Sequence, residues 1–173
     1  MVAIPVVDSA RDHIRGAPGG HVTLVEYGDF QCPYCGDAYP VVAELLGRFE
    51  WLRFAFRHMP LPDLHPRAPA AAEASEAAAA QGRFWEMHDR LFENQHALGD
   101  EALREHAAAL GLDVDRFDRE LREGVHAARV EEDLRSGVGS GIPSTPGFFV
   151  NGELHLGSAS EPELRRVIEA ELA

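Results

Sequence analysis

Cys32 and Cys35 are the only cysteines in the 173 residues, and they stand together as Cys32-Pro33-Tyr34-Cys35. A disulfide used as a staple gains from closing a long loop, and this loop is tiny, so the pair is there for reactivity or for a metal. Just before it, Val22-Thr23-Leu24-Val25-Glu26-Tyr27 has the composition of a buried strand, with Glu26 its unusual member. Just after it, Val41, Val42, Leu45 and Leu46 form the apolar stripe of a helix running to about Gly47, with a kink expected at Pro40. The pair therefore opens a helix. A helix N-terminus carries about half a positive charge and free N–H groups, which stabilise an anion. Here the anion is the Cys32 thiolate, whose pKa is expected below the free value of ~8.5. Pro33 suits the first turn, where its missing N–H costs nothing. Cys35, one turn further in, is expected to be more buried and less reactive. That geometry meets the needs of thiol–disulfide exchange, in which Cys32 attacks or is attacked and Cys35 resolves the mixed disulfide.

Metal is the competing use of such a pair. A structural zinc site needs four ligands, and the chain has no second cysteine pair. Of the nine histidines, His58 and His65 flank a Pro-rich turn, while His88, His96 and His106 fall on separate helical stretches. No histidine pair and no metal site are expected. No organic cofactor is expected either, because the cysteine pair itself carries the electrons.

The surrounding elements follow from composition and spacing. Gly28-Asp29-Phe30-Gln31 forms the turn before the pair, and Arg53-Phe54-Ala55-Phe56-Arg57 is the next strand, ended by Met59-Pro60-Leu61-Pro62. This is a strand–helix–strand start. From Asp63 the character changes: nine of the thirteen residues from Ala68 to Ala80 are Ala, the strongest helix former. Phe84 to Glu93 continues at helical spacing, Asp100 can cap a helix through Leu110 that Gly111 stops, and a further stretch runs from Asp113 to Leu134 with a break near Gly124. Four or five helices thus follow one another without a strand. Gly137 to Gly141 is expected to be a flexible return loop. Phe148-Phe149-Val150 and Glu153-Leu154-His155-Leu156 then pair across Asn151-Gly152, a strong two-residue hairpin signal. Ser160-Glu161-Pro162-Glu163 has capping-box form and starts an amphipathic helix with Leu164, Val167, Ile168 and Leu172 on one face. The expected division is 1–62 and 138–173 as one domain, split by a helical domain at 63–137.

Sixteen Arg, no Lys and 29 acidic residues leave a formal charge of −13, which repels a nucleic-acid backbone or an anionic membrane surface. No run approaches the ~20 apolar residues of a membrane span. Met1 to Gly20 carries Pro5, Asp8, Arg11, Asp12 and Arg15 and has no apolar core of a secretory signal, so the expected location is the cytoplasm, unless a leader has been removed and Met1 restored.

Glu26-Tyr27-Gly28-Asp29-Phe30-Gln31-Cys32-Pro33-Tyr34-Cys35 resembles the active-site segment of the DsbA-type branch of the thioredoxin-like superfamily. Ile142-Pro143-Ser144-Thr145-Pro146-Gly147-Phe148-Phe149-Val150-Asn151-Gly152 resembles its cis-proline strand and hairpin. The resemblance covers the chain from about Asp12 and implies an α/β thioredoxin-like fold, a central mixed β-sheet flanked by helices, with an inserted all-helical domain. It implies that Cys32 is the exposed nucleophile, Cys35 the resolving thiol and Pro146 the cis-proline beside them. Thr145 would offer main-chain groups to an extended substrate segment, with Pro33 and Tyr34 also facing substrate. Glu26 matches the buried acid of these proteins: burial raises a carboxyl pKa, and such a group can take the Cys35 proton as a general base. The alternative is a partly exposed strand-end carboxylate.

Two features depart from the pattern. Gly147 stands where a small polar or β-favouring residue is usual, which is expected to loosen the substrate-facing strand, and the lack of Lys leaves Glu26 tuned by burial alone. Tyr34 in the pair's centre gives the dipeptide of glutaredoxins, which points to glutathione as an electron partner, while the helical insertion argues against a plain glutaredoxin; a thioredoxin-type recycling partner is the other expectation. Phe30, Tyr34, Met59 and Phe148 are either an apolar lip for unfolded chains or core. The implied function is thiol–disulfide exchange with protein thiols and disulfides. The alternatives are a glutathione-linked disulfide reductase and a non-catalytic, chaperone-like peptide-holding module.

Overall fold

A computed structural model describes residues 6–173; the first five, which include Pro5 and the start of the expected 1–62 segment, lie outside the described residues. The described elements are β1 (His13–Gly16), β2 (Val22–Gly28), α1 (Pro33–Arg48), β3 (Leu52–His58), α2 (Ala68–Ala79), α3 (Phe84–Glu93), α4 (Asp100–Ala109), α5 (Val114–Glu123), α6 (Ala127–Gly139), β4 (Gly147–Val150), β5 (Glu153–His155) and α7 (Glu161–Ala170). The strands form one mixed sheet in the order β1-β3-β2-β4-β5, with β2 and β3 parallel and the other neighbours antiparallel. Among the described residues no helix is long and apolar enough to cross a membrane.

The central strands are buried on both faces, which their near-continuous apolar runs require. Leu24, Phe54 and Phe56 point into the larger core, which receives Val42 and Leu45 of α1, Met87 and Leu91 of α3, and Leu164 and Ile168 of α7. Val25, Tyr27, Ala55 and Phe149 pack on the other face with Met59, Ile142 and Leu134 of α6. The helices between β3 and β4 therefore reach both sides of the sheet: α3 packs against α1, and α6 against β3.

Arg57, in β3, is fully buried. It donates from Nε and Nη2 to the two carboxylate oxygens of Asp12, each at 2.9 Å, and from Nη1 to the Tyr27 hydroxyl at 3.0 Å. A buried carboxylate matched by a guanidinium fork in this way binds the segment before β1 to the sheet.

Several local expectations are corrected. β1 was not visible as a strand: it is a short edge element whose last residue, Gly16, has φ +83 and sits where a Cβ would lie 2.3 Å from the Leu52 carbonyl oxygen. Composition predicts a loop over Gly137–Gly141, but α6 runs on through Gly139. The reason is close packing, since a Cβ on Gly137 would lie 2.8 Å from Tyr27 Cδ1 and 3.1 Å from Met59 Sδ. Asp100 is the first residue of α4 rather than its cap, which is Gly99. Ser160 does precede α7, yet its side chain makes no capping hydrogen bond, so the box is not formed. Leu172 lies beyond α7 and is half exposed.

Gly137 and Gly139 separate packing from propensity. Gly137→Ala is expected to destabilise the fold by about 1–3 kcal/mol through overpacking against Tyr27. Gly139→Ala has nothing within 4 Å of the new Cβ and should be neutral or mildly stabilising. Urea unfolding of the two variants checks the contrast.

Candidate active site

The site begins with Asp29, a buried carboxylate at the end of β2. Its Oδ1 accepts from the Gln31 and Cys32 amides at 2.8 and 3.1 Å, and its Oδ2 from the Leu61 amide and His65 Nδ1 at 2.9 and 2.8 Å. Cys32 follows in an extended conformation as the N-cap of α1, with Pro33 in the first turn. Gln95 holds the same turn from the far side, its Nε2 donating to the Phe30 and Cys32 carbonyls at 2.9 Å each. Gly36 permits that approach, since a Cβ there would lie 2.2 Å from Gln95 Oε1. Neither His65 nor Gln95 could be assigned a role from spacing. An aspartate two residues before a turn amide was the one available local cue to Asp29.

Both cysteines are free thiols and both are buried. This corrects the expectation of an exposed Cys32: it is only 2% exposed, whereas Tyr34 beside it is 70% exposed. Cys32 Sγ lies 3.6 Å from the Thr145 carbonyl, and the Thr145–Pro146 peptide bond is cis. The Cys32 thiol is brought down to about 5. Its first cause is the hydrogen bond from the Cys35 thiol; the Thr145 hydroxyl and the Cys35 and Tyr34 amides add to it, against burial. Thr145 Oγ1 is itself buried with no hydrogen-bond partner, so it is free to turn toward that sulfur. Burial pushes the Cys35 thiol up, reinforced by its hydrogen bond to Cys32 and by the nearby Glu26. Two thiols on one helical turn thus have opposite acidities.

Glu26 is buried on β2, which removes the strand-end alternative. Its Oε1 has no hydrogen-bond partner, and burial, followed by the neighbouring Cys32, raises its pKa to about 8. Phe30, Met59 and Phe148 are core, so of the four lip candidates only Tyr34 is exposed. Gly147 is required by packing rather than a source of looseness, because a Cβ there would lie 2.6 Å from Ile142 Cγ2. Beside the cysteines lies a groove of about 460 Å³ whose walls include Tyr34, Asp37, Val41, Thr145, Pro146 and Ser160. Of the substrate-facing candidates, Pro33 is exposed next to this groove but does not line it.

The structure also joins histidines that spacing had kept apart. Nε2 of His13 and Nε2 of His58 each donate to Glu76 Oε1 at 2.7 Å, and these ligand atoms all lie within 4.8 Å of one another. A metal bound through both Nε2 atoms would require a proton on His58 Nδ1, which is buried and has no acceptor. The donor set therefore fits a hydrogen-bonded clasp between β1, β3 and α2 better than an ion.

A family model described as thioredoxin matches residues 8–170. The Na(+)/H(+) antiporter NhaA 1 of Salinispora arenicola is 48% identical over 167 residues, which are 96% of this chain and 26% of that protein. The Na(+)/H(+) antiporter NhaA of Herminiimonas arsenicoxydans is 47% identical over 171 residues, 98% of this chain and 27% of that protein. The chain thus spans about a quarter of the length of the curated relatives it matches. Among solved structures, a thioredoxin-like oxidoreductase from Silicibacter pomeroyi DSS-3 is similar at a TM-score of 0.83 and 27% identity, covering 94% of each chain. BdbD from Bacillus subtilis, in its oxidised form, shares the fold at a TM-score of 0.84 and 23% identity, over 98% of this chain and 96% of its own. The thiol-disulfide exchange protein alpha-DsbA2 from Wolbachia pipientis shares it at 0.80 and 19%, over 95% and 89%.

The buried Glu26 makes stability depend on pH. Between its ordinary value of 4.5 and about 8, the folded protein keeps a proton that the unfolded chain has released, so stability falls as pH rises through that window. Glu26→Gln removes the effect. Above pH 8 the variant should exceed the wild type by about 3–5 kcal/mol, and below pH 4.5 the two should converge. Denaturant unfolding at several pH values measures the gap.

Proposed function

This chain belongs to the thioredoxin family, and on that footing we propose that it is a thiol–disulfide oxidoreductase acting on protein substrates through Cys32 and Cys35. The observation that carries the reading is the placement of the two sulfurs. Cys32 is the N-cap of α1 with its Sγ 3.6 Å from the carbonyl before the cis Pro146, and Cys35 is buried in the first turn, with the buried carboxyl of Glu26 near them. At neutral pH Cys32 is a thiolate and Cys35 a thiol.

In the reducing direction, the Cys32 thiolate attacks one sulfur of a substrate disulfide. The substrate S–S bond breaks, one substrate sulfur leaves as thiolate, and a mixed disulfide forms at Cys32. Cys35 then gives its proton to the Glu26 carboxylate and attacks the Cys32 sulfur. The mixed disulfide breaks, the second substrate thiolate leaves, and the Cys32–Cys35 disulfide closes, having passed two electrons to the substrate. In the oxidising direction every step reverses, and Glu26 returns the proton to Cys35. The Thr145 main chain pairs with an extended substrate segment lying in the groove between Tyr34 and Pro146. The pair needs no organic cofactor, and glutathione or a thioredoxin-type protein restores it. Ion antiport, which names the much longer relatives, is no part of this proposal.

Equilibration of the pair against glutathione buffers tests the reading and its direction. A potential near about −120 mV marks a strong oxidant and argues against a cytoplasmic location; one near about −270 mV marks a reductase in a reducing compartment. Failure to form a disulfide at any poise overturns the proposal. Cys32→Ser should abolish turnover of a disulfide substrate, and activity that survives it would identify a holding module. Glu26→Gln should slow resolution of the mixed disulfide by about a hundredfold while leaving the first attack by Cys32 near its wild-type rate. Stopped-flow separation of the two steps measures this, and equal slowing of both would remove Glu26 from the role.

A further inference from the structure

Glu26 is sealed inside the protein, yet the cycle above requires it to lose and regain a proton. A dithiol protein at neutral pH rests with Glu26 protonated, and the carboxyl must release that proton before it can accept the one on Cys35. The question is where the proton goes.

A narrow cavity beside Glu26 answers it. The cavity is lined by Glu26, His88, Arg15 and Tyr39 together with apolar side chains, and it leaves about 10 Å³ for a water, the room that one buried water needs. Two of its lining residues carry buried polar atoms without a hydrogen-bond partner, Glu26 Oε1 and His88 Nε2. His88 has its other nitrogen engaged: Nδ1 lies 2.8 Å from Asp89 Oδ1. A carboxylate only accepts, so Nδ1 carries the ring proton and Nε2 is left as an acceptor. Asp89 is partly exposed and is held by Arg15, whose Nη1 donates at 2.9 Å to the same Oδ1 that meets the ring and whose Nη2 donates to Oδ2 at 2.7 Å. The chain of groups therefore runs from a sealed carboxyl, across a space for one water, to an imidazole and then to a carboxylate in contact with solvent.

We propose that one water bridges Glu26 to His88 Nε2, and that the line of water, His88 and Asp89 is the path by which the buried carboxyl exchanges its proton with solvent. The proposal rests on the redox reading of Cys32 and Cys35. In the outward step, Glu26 gives its proton to the water and the water gives one to Nε2, while the Nδ1 proton passes to Asp89 and solvent. In the other half-cycle Glu26 has just given its proton to the Cys35 thiolate. A proton then enters through Asp89 to Nδ1, and the Nε2 proton returns through the water to Glu26. One proton leaves and one enters per cycle, so the ring regains its tautomer without turning over. That matters because His88 is packed edge-on against Phe56, Phe92 and Trp85, with ring centroids 4.8, 5.0 and 4.9 Å away.

The charged and titratable groups around His88 fit a carrier that never holds charge for long. Asp89 draws a proton toward the ring, while burial, Arg15 and His58 oppose it and bring its pKa down to about 4. Tyr39, which stands against the ring from α1, donates its hydroxyl to Glu93 and stays protonated at neutral pH. His88 is thus a positioning and relay residue; the catalytic groups remain the two cysteines and Glu26.

The test measures resolution of a Cys32 mixed disulfide against pH in His88→Gln, Asp89→Asn, Glu26→Gln and the His88→Gln/Glu26→Gln double variant, in H₂O and D₂O. Asp89→Asn lies on the partly exposed end and serves if His88→Gln does not fold. The expected result is resolution slowed about ten- to a hundredfold in the single variants. The pH profile should flatten, the solvent isotope effect should change, and the double variant should be no slower than Glu26→Gln alone. In His88→Gln and Asp89→Asn, Cys32 thiolate titration and its first attack should match the wild type. Wild-type rates and profiles in both His88→Gln and Asp89→Asn overturn the relay, as does a double variant whose defects multiply. A wild type that cycles normally alongside them shows that only the relay has failed. A wild type that forms no disulfide overturns the redox reading and the relay with it.

Discussion

One buried carboxylate holds the reactive turn to the rest of the molecule. Asp29 gathers donors from its own turn and, through the Leu61 amide and His65, from the segment after β3, and in doing so joins two distant stretches of chain at one point. A charge in the interior is tolerated only when its oxygens are matched by donors, and here both oxygens are matched twice. The consequence reaches the chemistry. Because the Cys32 amide is committed to Asp29, the Tyr34 and Cys35 amides are the ones left to face the Cys32 sulfur. Gln95 completes the clamp by taking two carbonyls of the same turn.

Burial then acts on neighbouring groups in opposite ways. The apolar core that raises Glu26 and Cys35 also covers Cys32, yet Cys32 becomes the acidic thiol because donors converge on it. The difference between two chemically identical side chains therefore has two sources: burial comes first in raising Cys35, and hydrogen bonding comes first in lowering Cys32. Glu26 and Cys35 share a low-dielectric space in which two negative charges would repel strongly, so their protons are coupled and the two are not charged together.

The helices between β3 and β4 take part in this arrangement. α3 brings Met87, His88, Leu91 and Phe92 against the sheet over Phe56, closing the space above Glu26, and Asp89 meets Arg15 from the edge strand. α6 does the corresponding work on the opposite face, where Gly137 lets the helix lie directly on Tyr27. Arg57 and Asp12 then tie the segment before β1 to the same strands.

What the chain's local order determined is whatever depends on neighbours in sequence. A strand, a tight turn, two cysteines and a helix follow one another within 27 residues, so the placement of Cys32 at a helix N-terminus was legible from residues 22–48. The Asn151-Gly152 hairpin was legible for the same reason: both residues take positive φ, 48 and 89, as that turn type demands. Glu26 stood out because a carboxyl broke an apolar run. What only the tertiary structure decided are contacts between distant segments: Asp29 with His65, the active-site turn with Gln95, His13 with Glu76 and His58, and the course from Glu26 past His88 to Asp89. It also decided that Cys32 is covered and that α6 continues through glycine. Periodicity reports which face of an element is apolar, but a hydrogen bond between groups tens of residues apart leaves no trace in spacing. Such partners exist only once the sheet and helices have closed around them.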